Sequence, residues 1–126
     1  DFCFLPAAGF ALEISRLPGH GYVTCGGGGY IASGGVGLEK APKPYLPEGL
    51  MLDDNEGAGE VQTPLKAVTD KKYKNVVQSL APGDPVLFRH CKAGELCERF
   101  NELVLIKNGE VVDTCLTYRG HGKTFI

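Results

Sequence analysis

Tryptophan is absent from this chain, and so is any apolar run long enough to cross a bilayer as a helix. The second absence leaves no helical membrane span within these residues, and no secretory signal peptide is visible. The five cysteines, Cys3, Cys25, Cys91, Cys97 and Cys115, contain no Cys-x-x-Cys pair. A closed structural zinc site needs such clustering, so none is expected. An odd number of scattered cysteines also argues against a disulfide framework, and the thiols are expected to be free in a reducing cytoplasm. Charge of one sign is lacking too: 13 Lys and Arg stand against 15 Asp and Glu, a formal net charge of -2. Neither nucleic acid nor a membrane is therefore an expected partner. No internal repeat or dividing linker occurs, so residues 1–126 read as a single domain, with 38–80 less regular. No initiator Met precedes Asp1, which reads as a piece of something longer.

What is present favours strands. Eighteen glycines and 43% hydrophobic residues suit turns joined by short apolar runs, and 126 residues suffice for a core without disulfides. Residues 10–16 alternate apolar Leu12 and Ile14 with Glu13 and Ser15, the period of two of a half-buried strand. A turn signal at 17–21 leads to a second strand at 21–25, and the two predict a hairpin. Residues 38–60 set Glu39, Glu48, Asp53, Asp54, Glu56 and Glu60 against Lys40 and Lys43, an acidic loop with short extended pieces. The spacing of Tyr73, Val76, Val77 and Leu80 predicts a helix over 69–80, with Thr69 or Asp70 as its cap. A strand is predicted over 86–90, one to two helical turns over 95–100, and strands over 103–106 and 110–118 about the hairpin signal Asn108-Gly109. The fold class that follows is mainly β, a small antiparallel β-barrel or sandwich with one or two short helices.

Two nucleotide motifs fail. Gly27-Gly28-Gly29-Tyr30-Ile31-Ala32 fits G-x-G-x-x-A, but the following Ser33-Gly34-Gly35 cannot open the helix that would hold a pyrophosphate. A glycine bend at a close backbone approach is the better reading. Gly122-Lys123-Thr124 ends like a P-loop, yet Thr117 stands where the first glycine is required.

The run Arg89-His90-Cys91-Lys92-Ala93-Gly94-Glu95-Leu96-Cys97-Glu98-Arg99-Phe100-Asn101-Glu102-Leu103 carries the functional reading. With Pro82-Gly83-Asp84-Pro85-Val86 before it and Tyr118-Arg119-Gly120 after it, it resembles the D-serine dehydratase/D-serine deaminase-like group. These are pyridoxal-phosphate enzymes, also described as amino-acid aldolases or racemases. Pro6-Ala7-Ala8-Gly9-Phe10 resembles the point where their barrel hands over to the C-terminal domain. The resemblance implies a C-terminal β-domain that completes the active site of a lyase acting on D-serine or a related β-hydroxy D-amino acid. The missing N-terminal alanine-racemase-like barrel would be its partner and would hold pyridoxal phosphate, so this chain alone should be inactive. A homodimer and a small amino-acid substrate are further implied partners.

Relatives in the group place a His-x-Cys or His-x-Asp metal pair on a strand, because residues two apart share a face. Here the pair is His90-x-Lys92, and a charged ammonium has no lone pair to ligate. Lys92 is instead expected to act as a fixed cation, with His90 protonating the leaving group. Were a divalent metal such as zinc present, His90 and Cys97 would be its ligands. Arg119 and Tyr118 are the expected substrate-binding residues, against the plainer reading of a polar tail and a packing tyrosine. Glu95, Glu98 and Glu102 are expected to form a solvated face. The rival class is a non-enzymatic all-β module that binds an anion.

Overall fold

The computed structural model describes residues 2, 5–35, 37–92 and 94–123. Cys3 and Thr124 of the sequence reading lie outside them. Two compact units make up the chain, residues 1–91 and 92–126. The division falls between the consecutive residues Cys91 and Lys92.

The first unit is a six-stranded antiparallel sheet in the order β3-β6-β1-β2-β5-β4. Its strands are β1 (Phe10–Gly19), β2 (Tyr22–Gly26), β3 (Lys43–Leu46), β4 (Leu50–Leu52), β5 (Gln62–Ala67) and β6 (Pro85–Arg89). The end strands β3 and β4 approach each other, so the sheet curls into a nearly closed barrel. The expected mainly β antiparallel class is what forms.

Alternation decides the inside. Phe10, Leu12 and Ile14 are buried along β1 while the residues between them are exposed, and Val86 and Phe88 repeat the pattern on β6. Val23, Cys25, Leu50, Thr63 and Leu65 complete the interior. Phe88 stacks on Phe10 at 5.3 Å between ring centres, and Tyr30 meets Phe10 edge-on at 4.8 Å. Tyr30 is thus a packing residue, closing one end of the aromatic stack.

β1 and β2 form the expected hairpin, turning through His20 at φ 53° and Gly21 at φ 80°. Both central residues have positive φ, as a primed turn requires. Beyond β2 the glycines bend closely past β5. A Cβ on Gly28 would overlap Thr63 and Leu12, and the Thr63 hydroxyl donates to the Gly27 carbonyl at 2.6 Å. Among the described residues the glycines lead into bends and then the single 3₁₀ turn Leu38–Lys40.

The helix expected over 69–80 does not form. Two separate 3₁₀ turns, Lys71–Tyr73 and Val77–Ser79, stand in its place. Asp70 does cap the first, its carboxylate accepting from the Lys72 amide at 2.9 Å. The apolar stripe is only half-buried, and the β-branched pair Val76-Val77 with Asn75 weakens helix propagation, so short tight turns prevail.

The second unit carries the 3₁₀ turn Glu95–Glu98 and a two-stranded sheet of β7 (Glu102–Lys107) and β8 (Glu110–Leu116). Asn108 and Gly109 supply its turn at φ 53° and 82°. The register sets Val104 opposite Thr114 and Ile106 opposite Val111, with a bulge between Leu105 and Ile106. Apart from half-buried Leu103, both strands are exposed on both faces, including Val104, Ile106, Val111, Val112 and Leu116.

Candidate functional site

The residues singled out by the sequence divide between the two units. His90 follows β6 and extends its inside-outside alternation by one step: Val86, Phe88 and His90 are buried, Pro85, Leu87 and Arg89 are exposed. Its imidazole therefore belongs to the inward-facing set of the barrel. The strand stops at Arg89, so the spacing of two from His90 to Lys92 does not lie on a strand face. Cys91, the next residue, donates its thiol to the Ala41 carbonyl at 2.8 Å and ties the end of β6 to the segment before β3.

In the second unit the other predicted residues gather round one turn. The Lys92 ammonium pairs with Glu95 at 3.7 Å, three residues ahead. Glu95 is only 12% exposed, so it is not part of the solvated face expected of Glu95, Glu98 and Glu102. Its carboxylate is largely covered and matched by a cation, the arrangement that makes such burial tolerable. Tyr118 donates its hydroxyl to the Gly94 carbonyl at 3.0 Å, and Arg119 reaches the Glu98 carbonyl at 3.3 Å. Desolvation, reinforced by the nearby Glu98 carboxylate, raises the Tyr118 phenol above its ordinary pKa of 10.0. The phenol thus stays protonated and keeps donating.

Thr117 holds this tail in place. Its hydroxyl donates to the Phe100 carbonyl at 2.6 Å and accepts from the Gly120 amide at 3.1 Å. Gly120 has no substitute here, since a Cβ would run into the Asn101 carbonyl. The Gly94–Glu98 region is thus ringed by an ion pair, a phenol and a guanidinium, with Leu96 buried beneath and Cys97 half-buried. Tyr118 and Arg119 spend donors on backbone carbonyls, which makes them the braces of this turn.

The donor set does not by itself suit zinc. Among the described residues, no three His, Cys, Asp or Glu side chains come together as a metal would require. The candidate ligands His90 and Cys97 fall in different units.

Sequence reasoning missed a second polar group on the barrel. Lys43 on β3 stands directly opposite Arg89 on β6, and Tyr45 follows two residues after Lys43. In the sequence Lys43 reads only as charge balance within an acidic loop. The Lys-x-Tyr spacing on a short extended piece was the available signal.

Comparison with protein-family models, with curated proteins and with solved structures gave no match to any of the three. Among the described residues no helix is long and apolar enough to cross a membrane, and Cys25, Cys91, Cys97 and Cys115 are free thiols.

Proposed function

We propose that this chain is the C-terminal β-domain of a cytoplasmic pyridoxal-phosphate lyase acting on D-serine or a related β-hydroxy D-amino acid, inactive by itself. The observation that carries the reading is the run from Arg89 to Leu103, with its flanks at 82–86 and 118–120, which resembles that enzyme group. The same run forms the end of β6 in the first unit, and the Glu95–Glu98 turn and the start of β7 in the second. Held by the missing barrel, the cofactor would supply the electron sink for loss of the α-proton.

The chain's own residues would bind and orient. Lys92, steadied by Glu95, offers a fixed positive charge to the departing β-hydroxyl or the substrate carboxylate. Arg119 and Tyr118 brace the turn that presents it. His90, whose ring belongs to the inward-facing set of the barrel, is left out of this reading as the proton donor expected from the sequence.

The test begins with the coding sequence upstream of Asp1. It should continue into an alternating strand-helix pattern with a cofactor lysine, and the longer protein should release pyruvate and ammonia from D-serine. Lys92→Met in that protein should abolish turnover. Near-normal rates reject the role of Lys92, and a start codon directly before Asp1 rejects the whole reading. A second reading, a non-enzymatic β-module that recognises an anion, is supported by the Lys43–Arg89 cross-strand pair.

A further inference from the structure

We propose that the outer face of β3 and β6 is a binding site for a small organic carboxylate. Antiparallel pairing sets Lys43 directly opposite Arg89, and both side chains are exposed. Like charges placed across a strand pair repel, so a fold gains nothing from this arrangement by itself. The ion pairs among the described residues are Lys66–Asp54, Lys72–Glu48 and Lys92–Glu95. None of them uses Lys43 or Arg89. Two exposed cations therefore sit at paired positions of adjoining strands, outside those ion pairs, and an external anion would complete them.

The surroundings narrow the anion's identity. Arg89 and Tyr45 line an open cleft of about 350 Å³ together with Leu5 and Pro6. One wall offers a planar guanidinium, whose paired donors match the two oxygens of a carboxylate. Lys43 adds a second positive charge from the adjoining strand. The rest of the lining is aliphatic or the exposed ring of Tyr45, which favours a ligand with an apolar or aromatic body behind its acid group. Inorganic phosphate would satisfy the charges and leave that wall uncovered. The site lies wholly within the barrel unit, so it stands whether or not the chain completes a lyase.

Titration of the 126-residue protein with benzoate, followed by backbone amide shifts, tests the proposal. Shifts should concentrate at residues 43–46 and 87–90 and weaken as salt is added. Arg89→Gln should reduce affinity by at least about tenfold and Lys43→Gln by a smaller factor. Lys107→Gln, on the hairpin, should change nothing. Both site variants should melt at or above the wild-type temperature when no ligand is present, because a repulsion has been removed. Shifts scattered over the surface, or unchanged affinity in Arg89→Gln, overturn the site. Inorganic phosphate binding as tightly as benzoate overturns the assignment to an organic carboxylate.

Discussion

Cys25 and Cys115 carry the same thiol in opposite surroundings. Cys25 is fully buried between the barrel's apolar residues, and that burial pushes its pKa from 9.0 up to about 11; Cys115 is exposed on β8. Only the thiolate is nucleophilic. Iodoacetamide at neutral pH should therefore label Cys115 first and leave Cys25 untouched until the barrel unfolds, an order that peptide mass spectrometry can read. A linkage follows with a definite sign. Above the ordinary thiol value the unfolded chain loses the Cys25 proton while the folded chain keeps it, so stability falls between pH 9 and about 11. Below that window Cys25 contributes no pH dependence. Urea midpoints of wild type and Cys25→Ala should differ by less at the alkaline end of that range than at its start.

Asp53 gives the acid counterpart. One oxygen accepts from the Asn55 and Glu56 amides at 3.0 and 3.2 Å, and the other accepts from the Tyr22 hydroxyl at 3.1 Å. These bonds, the Asn55 amide foremost, hold its carboxyl below the ordinary 3.8. The stabilisation is present above that value and lost as pH falls through the lower folded one. Asp53→Asn should lower the melting temperature at pH 7 and flatten its decline in acid. In the core the scale is larger. Phe88 is 1% exposed and stacked on Phe10, so Phe88→Ala should cost about 3–5 kcal/mol in a denaturant titration.

At the scale of elements, the legible strands were those with a clean alternation or a turn signal. β1, β2, β6, β7 and β8 all sit within a few residues of where the pattern put them. β5 was not legible, because Pro64 interrupts it and a proline argues against an interior strand. The sheet accommodates Pro64 through the shortness of its neighbour. β4 pairs only as far as Leu52 with Leu65, so the missing N–H falls beyond the ladder, and the Pro64 carbonyl still accepts from the Asp53 amide at 3.0 Å. The site divides in the same way. Lys92, Tyr118 and Arg119 share one unit and were visible in the sequence, Lys92 within the run 89–103 and the other two in its flank at 118–120. Lys43 and Arg89 are neighbours only through the β3–β6 register, which no local pattern encodes. The Asn108-Gly109 turn offers a direct check on the local signal. Gly109 sits at φ 82°, where a Cβ is strained, so Gly109→Ala should destabilise the hairpin by about 1–2 kcal/mol, whereas the space around it is open. Loss of cross-strand nuclear Overhauser contacts between Ile106 and Val111 would report it.

Across the whole molecule, the two units should differ in how they open. The barrel strands β1, β2, β5 and β6 bury apolar side chains at 9% exposure or less, so their amides can exchange only when that core is broken. The β7–β8 sheet has two strands with exposed faces, and a lone two-stranded sheet is marginally stable in water. Its amides should open locally, exchanging faster than the barrel's by on the order of 100-fold or more. The side chains point the same way: Ile106 is 65% exposed and Val112 58%, so replacing either by Thr should shift stability by no more than about 0.5 kcal/mol, against several for Phe88. Hydrogen exchange resolved by residue separates the outcomes. Protection confined to residues 10–26, 62–67 and 85–89 fits a stable barrel beside a weakly held hairpin. Equal protection at 102–116 would mean that the exposed aliphatic residues are covered in solution.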